Sequence, residues 1–129
     1  MIDEWPTVTW GDVCRLNYGK AVPKNCSCEA HDVPVIGTSG VFGSTCSAMA
    51  SGPKVIVGRK GSLGVQLAKG DFWTVDTAFW MDTFDTLDQM WAYYRLKVID
   101  FKKENSGSAV PSLTREHFYS MPFALPPIP

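Results

Sequence analysis

Gly58–Arg59–Lys60–Gly61–Ser62 sets two cations and a hydroxyl between glycines, with Gly64 close behind. Glycine allows close backbone approach, and neighbouring N–H groups in such a turn can face an anion. Arginine adds a bidentate fork that matches a phosphate, or the O6 and N7 of guanine. Arg59, Lys60 and Ser62 could therefore bind an anion or a nucleobase edge. The same residues also suit a solvated hairpin tip, since such turns are common. Two hydroxyl-rich segments carry the same pair of alternatives. Thr38–Ser39–Gly40, with Ser44–Thr45 after it, and Asn105–Ser106–Gly107–Ser108 offer small groups to phosphates or base edges. They equally suit turn chemistry, in which Ser and Thr cap their own backbone. Lys20 and Lys24 flank the first polar loop as candidate phosphate contacts, whereas Lys102 and Lys103 fit cations at a helix C-terminus.

Catalytic chemistry has little to work with. The nucleophile candidates are Cys14, Cys26, Cys28, Cys46 and several serines, and His31 and His117 are the imidazoles. There is no Gly-x-Ser-x-Gly elbow, phosphate-loop motif or Asn-Pro-Pro-Tyr-like methyltransferase motif, so no acid–base constellation emerges and no enzyme activity is expected. Cys26, Cys28 and His31 raise the question of a metal, but Cys-x-Cys is not the usual zinc spacing and no second ligand pair follows. No metal or other cofactor is expected.

These residues need elements to hold them. Val8, Trp10, Val13 and Leu16 have the spacing of a short helix opening near Gly11–Asp12 and ended by Gly19. Residues 20–33 read as a loop. Val33–Ile36 reads as a strand leading into an exposed 37–40 loop. Lys54–Val57 is β-branched and reads as a buried strand; with Val65–Ala68 it forms a hairpin around the glycine-rich basic tip. Phe72–Met81 alternates as one strand with large residues on both faces, and Asp76 stands beside aromatics there as a partner for a loop rather than a catalytic group. Asp85 is a candidate N-cap for an amphipathic helix over Leu87–Phe101. Thr114 opens a short helix to about Tyr119, and Met121–Leu125 is a last strand. Most aromatics of these segments have core spacing, and Leu113 reads as a loop anchor. Strands and helices without βαβ alternation predict an α+β domain with a mostly antiparallel sheet.

The 129 residues suffice for one domain with one core. Hydrophobic residues make up 45% and charged residues 19%, which excludes disorder as the default. The acidic N-terminus lacks the apolar run of a secretory signal, and no stretch approaches a membrane span. A cytoplasmic protein with free thiols is expected. Net charge is −1, which weighs against non-specific nucleic-acid binding unless cations gather on one face.

Several stretches, in order, resemble the target-recognition domain of type I restriction–modification specificity subunits. They are Trp10–Gly11–Asp12–Val13 with Gly19–Lys20, Val35–Val41, Val55–Gly64, Phe72–Ala78, the Tyr93–Tyr94 helix, Ser106–Leu113 and Met121–Pro127. The resemblance implies a cytoplasmic domain that grips the major groove of double-stranded DNA and reads one half of a split target. Lys20, Thr38, Ser39, Arg59, Lys60, Ser62, Ser106 and Ser108 are the expected DNA contacts. It also implies methyltransferase (M) subunits, and restriction (R) subunits, as partners. In the family a long helix follows each such domain and sets the half-site spacing. Here residues 1–129 form one recognition domain ending where that helix would begin, and a homodimer would be the simplest route to a two-part site. The rival reading is a protein-interaction module that engages or mimics part of a restriction–modification complex, which the near-neutral charge and many aromatics would suit.

Overall fold

The computed structural model describes residues 5–22, 32–61, 63–101, 103 and 112–127. The strands are β1 (Thr7–Thr9), β2 (Cys14–Tyr18), β3 (Val33–Gly37), β4 (Gly40–Thr45), β5 (Ala50–Ser51), β6 (Lys54–Gly58), β7 (Val65–Ala68), β8 (Asp71–Thr74), β9 (Ala78–Thr83) and β10 (Pro122–Ala124). Two helices, α1 (Gln89–Lys97) and α2 (Arg115–Ser120), separate β9 from β10. The strands form a four-stranded sheet ordered β2-β9-β6-β7, a second ordered β4-β3-β8-β5, and a two-stranded ribbon β1-β10. All pairs are antiparallel except β3 with β8. The α+β class and the mostly antiparallel sheet stand as expected from sequence.

β6 explains how the layers meet. Its run is buried on both faces, so it reads as continuous apolar sequence. Val55 and Val57 join the large core under the helices, with Leu16, Phe79, Met81, Leu96 and Phe118. Ile56 points the other way, into a smaller cluster with Ile36, Phe72 and Ala78. β9 divides likewise, Phe79 and Met81 to one side, Ala78 and Trp80 to the other. The large core is closed by Trp10, which is fully buried and stacks on Phe123 at a centroid distance of 4.0 Å. Such a pair adds directional preference to the area it removes from water.

Three sequence expectations fail here, and a fourth, the 37–40 loop, holds as a turn. The 8–16 segment is not a helix: β1 leads into a 3₁₀ turn at Trp10–Asp12, then β2. Buried Cys14 and Leu16 alternate with exposed Arg15, the period of a strand, and the Thr9–Asp12 capping interactions hold one turn only. Residues 72–81 are not one strand, since β8 and β9 lie in different sheets and are separated by a turn at Val75–Thr77. The 37–40 loop is the tight turn of a β3–β4 hairpin, with Gly37 opposite Gly40. The main helix is shorter than expected. Its N-cap is Asp88, whose carboxylate accepts from the Trp91 N–H at 2.9 Å, and it ends at Lys97, so Arg95 and Lys97 are its C-terminal cations. Leu87 still packs in the core, but as a pre-helical residue. The short helix from Thr114 and the last strand form where expected.

The cysteines also differ from expectation. Cys46 is disulfide-bonded. Cys14 is free and buried, its Sγ donating to the Trp10 carbonyl at 3.1 Å, and burial pushes its thiol up to about 12. Cys26, Cys28 and His31 lie outside the described residues.

α1 is tied to the sheet by one buried side chain. Gln89 Oε1 accepts from the Val55 N–H at 2.9 Å, and its Nε2 donates to the Met81 carbonyl at 2.7 Å. Replacing it with an apolar residue strands two buried backbone groups. Gln89→Leu should lower unfolding free energy by about 1–3 kcal/mol, read as a lower urea midpoint. Cys14 should stay unmodified by a thiol reagent at pH 8 until urea unfolds the chain, since the reactive thiolate is scarce and enclosed.

Candidate nucleic-acid interface

The turn at Val75–Thr77 gathers the expected contact residues. The Arg59 and Lys60 N–H groups donate to the Thr77 carbonyl at 2.8 and 3.2 Å. Beyond β2, the Gly19 N–H donates to the Ala78 carbonyl and the Lys20 N–H to the Thr74 carbonyl, each at 3.0 Å. The Lys20 carbonyl in turn accepts from the Trp73 indole N–H at 2.9 Å. The β3–β4 turn closes the other side: Gly37, Thr38, Ser39 and Phe42 share a cavity of about 340 Å³ with Val75 and Thr77. The Thr38 carbonyl accepts from Gln66 Nε2 at 3.4 Å.

The hairpin tip is shaped by its glycines. Gly61 and Gly64 have φ of 84° and 145°, a region that penalises side chains, and the Gly58 N–H donates to the Gly64 carbonyl at 2.8 Å. The tip is tied to the segment before α2, since the Leu113 N–H donates to the Arg59 carbonyl at 2.8 Å and Lys60 bridges to Ser112. Leu113 is buried, the anchor expected from sequence.

Lys20, Ser39 and Lys60 are exposed, and Thr38 and Arg59 are half-buried. All five lie around the Val75–Thr77 turn, Lys20, Arg59 and Lys60 through their backbone and Thr38 and Ser39 through the shared cavity. Ser62, Ser106 and Ser108 lie outside the described residues, as do Lys24 and Lys102. Thr45 is buried at the end of β4 and offers no surface contact, while Ser44 is exposed. Asp76 does serve a loop, but through its backbone carbonyl, which accepts from Arg59 Nη1 at 2.6 Å.

Two residues of this face escaped sequence reading. The Tyr18 ring, 46% exposed, has the Arg59 guanidinium carbon 5.1 Å from its centroid and that of Arg115 at 4.4 Å. Tyr18 follows a segment whose spacing fits a helix, and Arg115 lies within the short helix that Thr114 opens. A distance of nearly a hundred residues separates them in sequence, so no local signal joins them. Arg59, Lys60, Arg115, Ser112 and Glu116 line one shallow cavity of about 200 Å³ with Tyr18. The arrangement can take an anion: three cations face one carboxylate there. Among the described residues there is no group of three His, Cys, Asp or Glu suited to a metal, and no helix long and apolar enough to cross a membrane.

This geometry can be set beside known proteins. The model of the type I restriction modification DNA specificity domain matches residues 2–129. The chain belongs to that family. No individually curated protein matches it by sequence. Among solved structures it is similar to the type I restriction–modification S subunit from M. genitalium, with a TM-score of 0.74 and 19% identity over 94% of this chain. It is also similar to a chain described in work on complex assembly and conformational transition of the type I R-M system, with a TM-score of 0.75 and 18% identity over 96% of this chain. A third is the HsdS subunit from Thermoanaerobacter tengcongensis, with a TM-score of 0.63, 18% identity and 95% of this chain covered. The chain spans about a third of the length of each, 34%, 34% and 33% respectively.

Gly19 is where the face depends on a missing side chain. A Cβ there would lie 2.0 Å from the Val75 carbonyl oxygen, so the backbone must move. Gly19→Ala should destabilise the fold by about 1–3 kcal/mol, as overpacking does, measured by thermal or urea unfolding.

Proposed function

We propose that this chain binds double-stranded DNA in a sequence-specific way, reads one half of a bipartite target, and does no chemistry of its own. The observation that carries it is the convergence of Lys20, Arg59, Lys60 and Arg115 at the edge formed by the Val75–Thr77 turn, in a chain whose family is a DNA specificity domain. A chain with net charge −1 gains nothing from a general excess of cations. Local clustering is what would let it hold phosphates. Glycines at the tip and small hydroxyls at Thr38 and Ser39 would let the backbone come close to the duplex, where side chains sort bases by their groove edges. In that role the chain directs methyltransferase subunits, and restriction subunits through them, to a site they do not read themselves. Those partners, and the half-site division, are proposed by analogy with whole specificity subunits, of which this chain matches a part.

The test is selection from a randomised duplex library at low salt, followed by a salt titration of the enriched duplex. A short enriched motif, with affinity falling steeply as salt rises, supports DNA reading through counterion release. No enrichment together with salt-independent retention favours a protein-interaction module. The double variant Arg59→Ala, Lys60→Ala should lose most DNA affinity in a gel-shift titration, and Lys60→Ala alone should keep its unfolding free energy within about 0.5 kcal/mol of the parent.

A further inference from the structure

We infer that Arg115 and Arg59, held over the Tyr18 ring, form a paired-guanidinium clamp for a single backbone phosphate of the bound duplex, with Tyr18 as the positioning residue. The inference rests on the DNA-binding reading above and adds residues, a ligand group and a division of labour to it.

The geometry leads there in three steps. Both guanidinium carbons lie close to one ring centroid, at 5.1 Å for Arg59 and 4.4 Å for Arg115. The face of an aromatic ring attracts a cation, so Tyr18 holds two like charges near one ring, in one cavity. Tyr18 is itself held, through strand pairing with Phe79 and a tilted ring contact at 5.2 Å. Arg59 is further held by the Asp76 carbonyl.

Next, neither guanidinium is taken up by an ion pair. Among the described residues, the ion pair formed by a lysine or arginine is Lys54 with Asp82, and no carboxylate pairs with Arg59 or Arg115. Glu116 lines the same cavity, facing Arg59, Lys60 and Arg115. With Lys60 beside them, the two guanidiniums outnumber that single carboxylate, and an anion seated in the cavity would offset the remaining positive charge.

Finally, Arg115 occupies the first position of α2, where a cation opposes the helix dipole. Helix stability therefore does not account for an arginine there. A neutral base edge takes one guanidinium fork, whereas a phosphate carries a full charge and presents several oxygens, so a pair of guanidiniums with Lys60 beside them matches the phosphate. Ser112 lines the same concavity. The clamp would fix where the protein sits on the duplex and leave base choice to the β3–β4 turn and the hairpin tip.

The experiment compares the whole chain with Arg115→Gln, Tyr18→Leu and Tyr18→Phe, using a mixed-sequence 24-base-pair duplex and the duplex enriched in selection. Each variant is first checked for an unchanged melting temperature. Arg115→Gln should weaken binding to both duplexes by a similar factor, roughly tenfold, and reduce the slope of log affinity against log salt by about 0.9, the signature of one lost phosphate contact. Tyr18→Leu should reproduce part of that loss with all charges retained. Tyr18→Phe should bind like the parent, because the ring face is kept. If the parent binds DNA but Arg115→Gln leaves the slope unchanged, or weakens only the enriched duplex, the phosphate clamp is wrong while the DNA-binding reading survives. If Tyr18→Leu matches the parent, the positioning role of Tyr18 is wrong. If the parent binds neither duplex, the DNA-binding reading itself fails.

Discussion

The break in the chain at Val75–Thr77 governs the rest of the structure. β8 and β9 are nearly continuous in sequence, yet they belong to different sheets, and the three residues between them carry the chain from one to the other. A strand that leaves its sheet exposes carbonyls that must be satisfied. Here the Thr74, Thr77 and Ala78 carbonyls accept from Lys20, from Arg59 and Lys60, and from Gly19. The end of β2 and the end of β6 are thereby fastened to one turn. The same break lets β9 serve both cores, since it frees Ala78 and Trp80 to pack with Phe72 while Phe79 and Met81 face the helices.

Charge is distributed along the same lines. Several carboxylates away from the turn are committed to structure. Asp12 accepts from both the Thr9 N–H and hydroxyl at 3.0 Å, which holds its carboxyl below the usual range. Asp88 caps α1, and Asp82 takes Lys54 and Asn17. The arginines at the turn are instead held by a carbonyl and a ring, which orient a guanidinium without cancelling its charge. A chain of net charge −1 can in this way keep Arg59, Lys60 and Arg115 beside one cavity without an ion pair among the described residues.

What could be read from sequence follows from the range of the forces involved. The β6–β7 hairpin, the helix capped by Thr114 and the Leu113 anchor are legible because β-branched runs, turn glycines and a cap act within a few residues. β1 and β2 were misread because Val8, Trp10, Val13 and Leu16 satisfy helical spacing, and their real partners, β10 and β9, lie far along the chain. The sheet switch at 75–77 was hidden because alternation continues across it. Asp85 lost the cap to Asp88, and nothing local distinguishes two aspartates so near each other. Lys20, Thr38, Ser39, Arg59 and Lys60 stand out as candidates by side-chain type. Their convergence does not, because the hydrogen bonds that bring them together start from the backbone. Tyr18 and Arg115 needed the fold.

That backbone character bears on how this edge can change. The donors that close the turn are the N–H groups of Gly19, Lys20, Arg59 and Lys60. Any residue but proline supplies such a donor. Side chains at positions 20, 59 and 60 can therefore vary without dismantling the edge, whereas Gly19 cannot, because the Val75 carbonyl occupies the space of its missing Cβ. The cores beneath are sealed by other residues, from Trp10 to Phe123. Geometry and contact chemistry are thus held by different atoms of the same residues. Side chains at this edge can therefore be exchanged while the scaffold is kept, with Arg59 and Arg115 as the costlier exceptions because their side chains also pack on Tyr18.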